Sequence, residues 1–445
     1  MRMAARFLSL LRLCVATSLA FTALAVHADE PYQLKVVTDR ADAIYRTEAT
    51  AKFIVTVTKG GETVSAGEVL YIIDDFLAAA DSESDFPKGT IEVDDKNGIS
   101  ATSSQPGFLR CRVTFQTPDK KVLRATAAAG FSPNKISPSL PVPDDFDQFW
   151  KQQKAELAKV ALEPKLKTIE QSNEKILCFD VRVNCLGGAP VSGYLAKPKE
   201  AKAKSLPAIL WVHGAGVRSS SLANAMTGAQ AGMLSMDINA HGIANGMPPQ
   251  YYKDQIAGPL KNYRHAGRES RETIYFRGMY LRLVRAIDFL TSLPEWDGQV
   301  IAVIGHSQGG GQALVAGGID DRVTFIAAGV PAICDHSGRA AGRINGWPKL
   351  VPVGDDGLPD GQILQASRYV DAVNFASRCR ANAIVSVGFV DAVCPPSSCY
   401  AAFNQLHGKK RMVTEPLMGH AAPQHIRNIF FAEFQKHVRD EKGQN

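Results

Sequence analysis

The sequence carries little excess charge of either sign. Its 50 lysines and arginines against 44 acids leave +6 over 445 residues. Three of the positive charges, Arg2, Arg6 and Arg12, fall in the first 28 residues, which hold no acid. A surplus so small and dispersed argues against a nucleic-acid or anionic-membrane partner. Cysteine is scarce too, eight in all with Cys14 inside that first segment, which excludes a disulfide scaffold. With no CxxC pair and no close histidine–cysteine grouping, no metal site is expected. Beyond residue 28 no apolar run approaches the ~20 residues of a spanning helix, and neither repeats nor low-complexity tracts suggest a solenoid or fibre. What remains, 45% hydrophobic and 21% charged, is the balance of a globular protein, long enough for two or three domains.

The first 28 residues read as a secretory signal. Arg2 and Arg6 precede the apolar stretch Leu13 to Ala25, and Val26-His27-Ala28 closes it with small residues at −3 and −1. Cleavage is expected after Ala28, with the protein secreted or periplasmic and free of the membrane once processed. Seven cysteines then remain. Cys394 with Cys399, or Cys178 with Cys185 across a hairpin, are spaced for a local bridge, and buried thiols acting as small apolar groups are an equal reading.

Residues 29–135 read as an all-β, immunoglobulin-like sandwich. Phe53, Val55 and Val57 alternate into a turn at Gly60-Gly61, and Leu109, Cys111, Val113 and Phe115 alternate before Pro118-Asp119; period two with intervening turns marks short strands. A spacer is the expected role. Residues 136–143, with three prolines, form the linker. The remainder, 144–445, opens with a helical segment begun by Asp144-Asp145 and running to about Leu162, and a hairpin, Ile176–Val183 with Pro190–Pro198. The runs Leu206–Val212, Met233–Ile238, Val300–Ile304, Thr324–Val330 and Ala383–Phe389 then alternate with helical patterns such as Ser270–Leu293. Such alternation predicts an α/β domain on a parallel sheet.

Gly305-His306-Ser307-Gln308-Gly309 fits G-x-S-x-G between a predicted strand and a predicted helix. That turn would project the Ser307 hydroxyl above the sheet edge, at a helix N-terminus that favours developing negative charge. The partners such a nucleophile needs follow in the order acid, then base. Asp391 lies just past the Ala383–Phe389 strand and His420 past a short strand, Arg411–Pro416. Asp371 is the rival acid, expected inside a helix, and His407 and His425 are the rival bases. His213-Gly214-Ala215-Gly216 follows Leu206–Val212, the position from which such loops donate a backbone amide to an oxyanion. Ala215 N–H opposite Gln308 N–H is the expected pair, and the His213 ring is expected to pack or hydrogen-bond beneath the loop. The charged run Arg264 to Glu272 reads as a solvated loop.

Several motifs resemble one family. Asp145-Phe146-Asp147-Gln148-Phe149-Trp150, Arg277-Gly278-Met279-Tyr280, Arg285-Ala286-Ile287-Asp288-Phe289-Leu290 and Gly305 to Gly311 come first. Val330-Pro331, Cys334-Asp335, Asp391 to Pro396 and Gly419-His420 follow in the same order. Over about residues 143–435 the chain resembles the acetyl xylan esterase/cephalosporin-C deacetylase family, carbohydrate esterase family seven. The resemblance implies an α/β-hydrolase fold, no cofactor, and deacetylation of small acetylated sugars or related esters. It places Ser307, Asp391 and His420 on the family's triad, and Ala215 and Gln308 on its oxyanion positions. The family's ring-like assembly would make the chain a homo-oligomer, which the added N-terminal region need not fit. Three departures stand out. His241-Gly242-Ile243 replaces an Arg-Gly-Gln loop, Ala215 replaces a tyrosine, and Ala421 replaces the glutamate after the histidine.

The expected function is therefore a secreted serine carboxylesterase acting on acetylated xylo-oligosaccharides or similar acetyl esters. One alternative is a peptidase of the prolyl-oligopeptidase type, for which residues 29–135 are too few to build a gating propeller. The other is a carbohydrate-binding protein with a degenerate hydrolase body, which the complete set of Ser307, Asp391 and His420 opposes.

Overall fold

A computed structural model describes residues 30–77, 87–93 and 98–443. The proposed signal segment lies outside the described residues. Among these residues no helix is long and apolar enough to cross a membrane.

The N-terminal region folds as two β-sheets. One contains Tyr32–Thr38, Ala51–Lys59, Glu62–Thr63 and Ile99–Ala101; the other contains Ile44–Tyr45, Glu68–Asp74, Lys88–Glu92, Gly107–Gln116 and Val122–Phe131. The alternation read from the sequence decides what they bury. Phe53, Val55 and Val57 share one cluster with Cys111, Val113 and Phe115, as period two requires. The opposite face is not all solvent. Phe108 and Ala128, on the alternate parity of their strands, join the large cluster of the following region instead. There Phe108 packs edge-on against Phe389, with ring centroids 5.0 Å apart, and lies 5.6 Å from Tyr400.

Residues 136–143 are pinned rather than free. Ile136 is buried, Ser139 N donates to Asp335 Oδ1 at 3.0 Å, Arg343 donates to Ser137 O at 2.8 Å, and Arg368 to Pro141 O. The β region meets the body through buried aromatic rings. Prolines prevent regular structure here, but side chains from elsewhere satisfy the exposed backbone.

The body is a mixed α/β fold on a nine-stranded sheet. In space its strands run Lys165–Thr168, Ile176–Val183, Val191–Pro198, Leu234–Ile238, Leu206–Val212, Trp296–His306, Phe325–Gly329, Asn382–Gly388 and Lys410–Glu415. The first three pair antiparallel with their neighbours; from Leu234–Ile238 onward pairing is parallel. The chain passes from Leu206–Val212 to one side, then crosses back to place Trp296–His306 on the other side. That reversal opens a crevice at the strands' carboxyl ends, where parallel sheets hold ligands. Val212 and Gly305 are register partners across it, so the loop after Val212 and the turn after Gly305 emerge side by side.

The first helix of the body, Phe146–Ala158, stops short of the expected Leu162. The helix expected from Ser270 begins at Tyr275 and ends at Ser292, burying Leu283, Ile287 and Leu290 as predicted.

Candidate active site

Ser307 sits at the turn between strand Trp296–His306 and helix Gln308–Ile319. Its backbone has φ 58° and ψ −123°, a region that costs a non-glycine residue about 1–3 kcal/mol. Three hydrogen bonds hold it there: Ser307 N donates to Gly329 O at 2.8 Å, and Ser307 O accepts from Gly311 N at 3.1 Å and Ala332 N at 3.0 Å. The flanking glycines are needed because the backbones nearly touch. A Cβ on Gly309 would stand 2.2 Å from Val212 O, and one on Gly305 2.6 Å from the same oxygen.

His420 comes five residues after strand Lys410–Glu415, and Asp391 three after Asn382–Gly388. The two loops lean together, Val390 N donating to Met418 O at 3.2 Å. His420 Nε2 lies 2.9 Å from Ser307 Oγ, and His420 Nδ1 lies 2.8 Å from Asp391 Oδ2. Asp391 is fully buried, and its Oδ1 accepts from Val393 N at 2.8 Å and Cys394 N at 2.9 Å. With the carboxylate an acceptor at both oxygens, Nδ1 carries the ring proton and Nε2 faces the serine as acceptor. The set can take a proton from Ser307 and return it to a departing group.

The rivals lie elsewhere. Asp371 is not within a helix but caps one, Ala372–Ala376, and also accepts from Asp335 N at 2.9 Å and His336 N at 2.7 Å. His407 meets Ser377 O and His425 meets Glu415.

The loop after Val212 reaches the nucleophile, since a Cβ on Gly214 would stand 3.5 Å from Ser307 Cβ. The His213 ring lies beneath it. Its Nε2 accepts from Ala240 N at 3.0 Å and its Nδ1 donates to Gly214 O at 2.6 Å. Burial, with Arg218 adding to it, pushes His213 down to about 3, so it stays neutral. His241, first of the departing loop, is also buried and pushed down to about 4. Its Nε2 donates to Gly216 O at 3.1 Å and its Nδ1 accepts from Tyr275 Oη at 2.7 Å. Among the described residues neither Ala215 N–H nor Gln308 N–H donates to a backbone or side-chain acceptor. The second is a first-turn helix amide, free by construction.

Sequence reasoning did not single out Tyr263, whose hydroxyl donates to Gln308 Oε1 at 2.8 Å and accepts from Gly216 N at 3.3 Å. It also missed Arg218, which donates to Ala215 O and Gly214 O, each at 3.1 Å. Neither residue lies in a recognisable motif. Cys394 was read as a bridge candidate, yet it and the other six described cysteines are free and buried. Cys178 lies 3.0 Å from Met226 Sδ. Asp391, Cys394 and His420 offer metal-ligand atoms within 4.8 Å of one another, although Asp391 Oδ2 and His420 Nδ1 are spent on each other. Ala421, the third departure, is exposed.

The profile of the acetyl xylan esterase (AXE1) family matches residues 134–437. The acetyl esterase Axe7A of Xylanibacter ruminicola is 30% identical over 410 residues, covering 89% of this chain and 90% of that protein. An alignment of that length necessarily includes part of the N-terminal β region. The solved acetyl xylan esterase of Paenibacillus sp. R4 is 26% identical, with a TM-score of 0.60 over 68% of this chain and 98% of that one. Acetyl xylan esterase 1 of Thermoanaerobacterium sp. shares the fold at 22% identity and a TM-score of 0.56, covering 67% and 95%.

Proposed function

Because the chain belongs to the acetyl xylan esterase family and is thereby a carboxylic ester hydrolase, we propose that it is a secreted serine esterase. Its substrates are acetylated xylo-oligosaccharides or similar small acetyl esters, cleaved through an acyl-enzyme. The observation that carries the serine mechanism is the unbroken relay from Asp391 through His420 to Ser307, with contacts of 2.8 and 2.9 Å.

Ser307 Oγ attacks the acetyl carbonyl as His420 Nε2 takes its proton. Asp391 holds the ring in that tautomer and stabilises the imidazolium. The carbonyl oxygen becomes an oxyanion between Ala215 N–H and Gln308 N–H, at the positive end of helix Gln308–Ile319. Collapse breaks the ester bond. The sugar oxygen leaves with the proton from His420, and the acetyl group remains esterified to Ser307 Oγ. Water then gives its proton to His420 and attacks; Ser307 recovers a proton and acetate departs.

The same reading takes residues 144–445 as an α/β-hydrolase domain and 29–135 as an immunoglobulin-like sandwich. The Leu206–Val212 crossover and the two N-terminal sheets support it. Residues 1–28 are taken as the export signal.

Ser307→Ala is the direct test. It abolishes p-nitrophenyl acetate hydrolysis while the circular dichroism spectrum stays that of the parent; retention of most activity would remove the assignment. Acetate release from acetylated xylan, short acetylated xylo-oligosaccharides and cephalosporin C ranks the substrates. The oligosaccharides are expected first, and inactivity on all three would overturn the proposed substrate class.

A further inference from the structure

Several peptide groups of the loop after Val212 are tied down by side chains. Gly214 C=O accepts from Arg218 Nη2 at 3.1 Å and from His213 Nδ1 at 2.6 Å. Ala215 C=O accepts from Arg218 Nη1. Gly216 N–H donates to Tyr263 Oη, and Gly216 C=O accepts from His241 Nε2. A trans peptide sends its C=O and N–H in opposite directions. Anchoring Gly214 O on the Arg218 side therefore aims the Ala215 N–H away from it. Among the described residues that amide has no acceptor.

One side chain ties this loop to the turn that carries Ser307. Tyr263 is buried, and its ring packs edge-on against His241 with centroids 4.6 Å apart. Its single hydroxyl accepts from Gly216 N, one residue from Ala215, and donates to the side chain of Gln308. Gln308 is itself fully buried, so its side chain is confined. Burial raises the Tyr263 phenol above its ordinary range, which keeps the donating proton in place at neutral pH.

We propose that Tyr263 is a positioning residue that sets the separation of the two oxyanion-binding amides, Ala215 N–H and Gln308 N–H, by bonding to both halves of the site at once. The inference rests on the serine-esterase reading above. It also assigns a task to the departing loop. His241 fills the space beside the Tyr263 ring and holds the next carbonyl, so the phenol has one orientation.

A donor pair set at the transition-state distance acts on the developing oxyanion and hardly on the neutral ester. Tyr263→Phe keeps the ring and removes the hydroxyl. With p-nitrophenyl acetate its kcat falls about tenfold or more while KM stays within about twofold, a fraction of the 10²–10³ lost when a whole donor is removed. A trifluoromethyl ketone, which forms a hemiketal oxyanion on the serine, loses affinity by the same factor as kcat/KM. A merely structural role would not produce that match. Gln308→Met removes the acceptor at the other end and keeps the backbone amide; it shows the same kcat loss, and the double variant loses little more than either single one. If Tyr263→Phe does not fold, Gln308→Met with the same inhibitor decides the matter.

A folded Tyr263→Phe enzyme with kcat within about twofold of the parent overturns the proposal, as does a loss confined to KM. Ser307→Ala separates the two levels. An active Ser307→Ala enzyme overturns the serine reading itself, whereas an inactive one beside a normal Tyr263→Phe enzyme overturns only the role of Tyr263.

Discussion

Asp391 Oδ2 accepts the Nδ1 proton of His420 at 2.8 Å while its other oxygen holds two backbone amides, Val393 N and Cys394 N. That division of labour makes a sharp prediction for Asp391→Asn. The amide oxygen must take the Oδ1 position, because only an acceptor satisfies the two N–H groups there. The NH2 group then faces His420 Nδ1 and donates to it. The ring is driven into the tautomer with its proton on Nε2, where it cannot accept from Ser307. We expect kcat to fall by about 10⁴ with the fold intact, the size such a tautomer reversal carries in a serine triad. In the proton NMR spectrum the downfield Nδ1–H resonance of His420 disappears. An Asp391→Asn enzyme within about tenfold of the parent would contradict this account.

Ser307 and Asp391 were legible because each lies just after a strand that announces itself as an apolar run; the strand before His420, Lys410–Glu415, is not apolar, and His420 was legible from the order of nucleophile, acid and base. Ala215 and Gln308 followed from the same register. Tyr263, Arg218 and Tyr275 were not legible. They converge on the site from loops and a helix start whose places in space depend on tertiary packing, with no periodic pattern to mark them. The run Arg264 to Glu272 illustrates the limit. Read as solvated, it has Arg264 over the Trp347 ring at 5.7 Å and Arg268 Nη1 donating to Leu350 O at 2.9 Å. Phe108 was not legible for another reason: period two puts it on the face away from its own sheet's core, and only the docked body buries that face.

Phe108 supplies a second prediction. Its ring meets Phe389, two residues before Asp391, and Tyr400 in the helix that follows. Phe108→Ala leaves a cavity between the N-terminal sheets and the acid-bearing loop. Burial of 5% exposure places it with core phenylalanines, whose truncation costs about 3–5 kcal/mol. We expect the urea midpoints for loss of circular dichroism and of esterase activity to move down together. Leu70→Ala, on the same sheet but 58% exposed, moves neither. An activity midpoint unchanged in Phe108→Ala would mean that the β region does not support the site.

His336 predicts how stability depends on pH. It is fully buried, neither ring nitrogen has a partner among the described residues, and burial pushes it down to about 3. An unfolded histidine titrates near 6.5. Between those values the unfolded chain holds a proton that the folded chain does not. Stability therefore falls as pH drops through this window, and His336 contributes no slope above it. At pH 5 the loss amounts to about 2 kcal/mol. Asp371, which accepts from His336 N and is raised to about 7 by burial, works in the opposite sense. Its folded carboxyl takes a proton that the unfolded one releases down to its ordinary value, so it adds stability as pH falls. The two effects overlap in the wild-type curve, and a single substitution separates them. His336→Leu removes the histidine contribution and leaves that of Asp371. We expect urea midpoints at pH 8 to be equal or higher in the variant, because two unpaired ring nitrogens are gone. At pH 5 the variant's advantage grows by about 2 kcal/mol. Parallel profiles for the two proteins between pH 8 and pH 5 would show that His336 protonates in the folded state as readily as in the unfolded one.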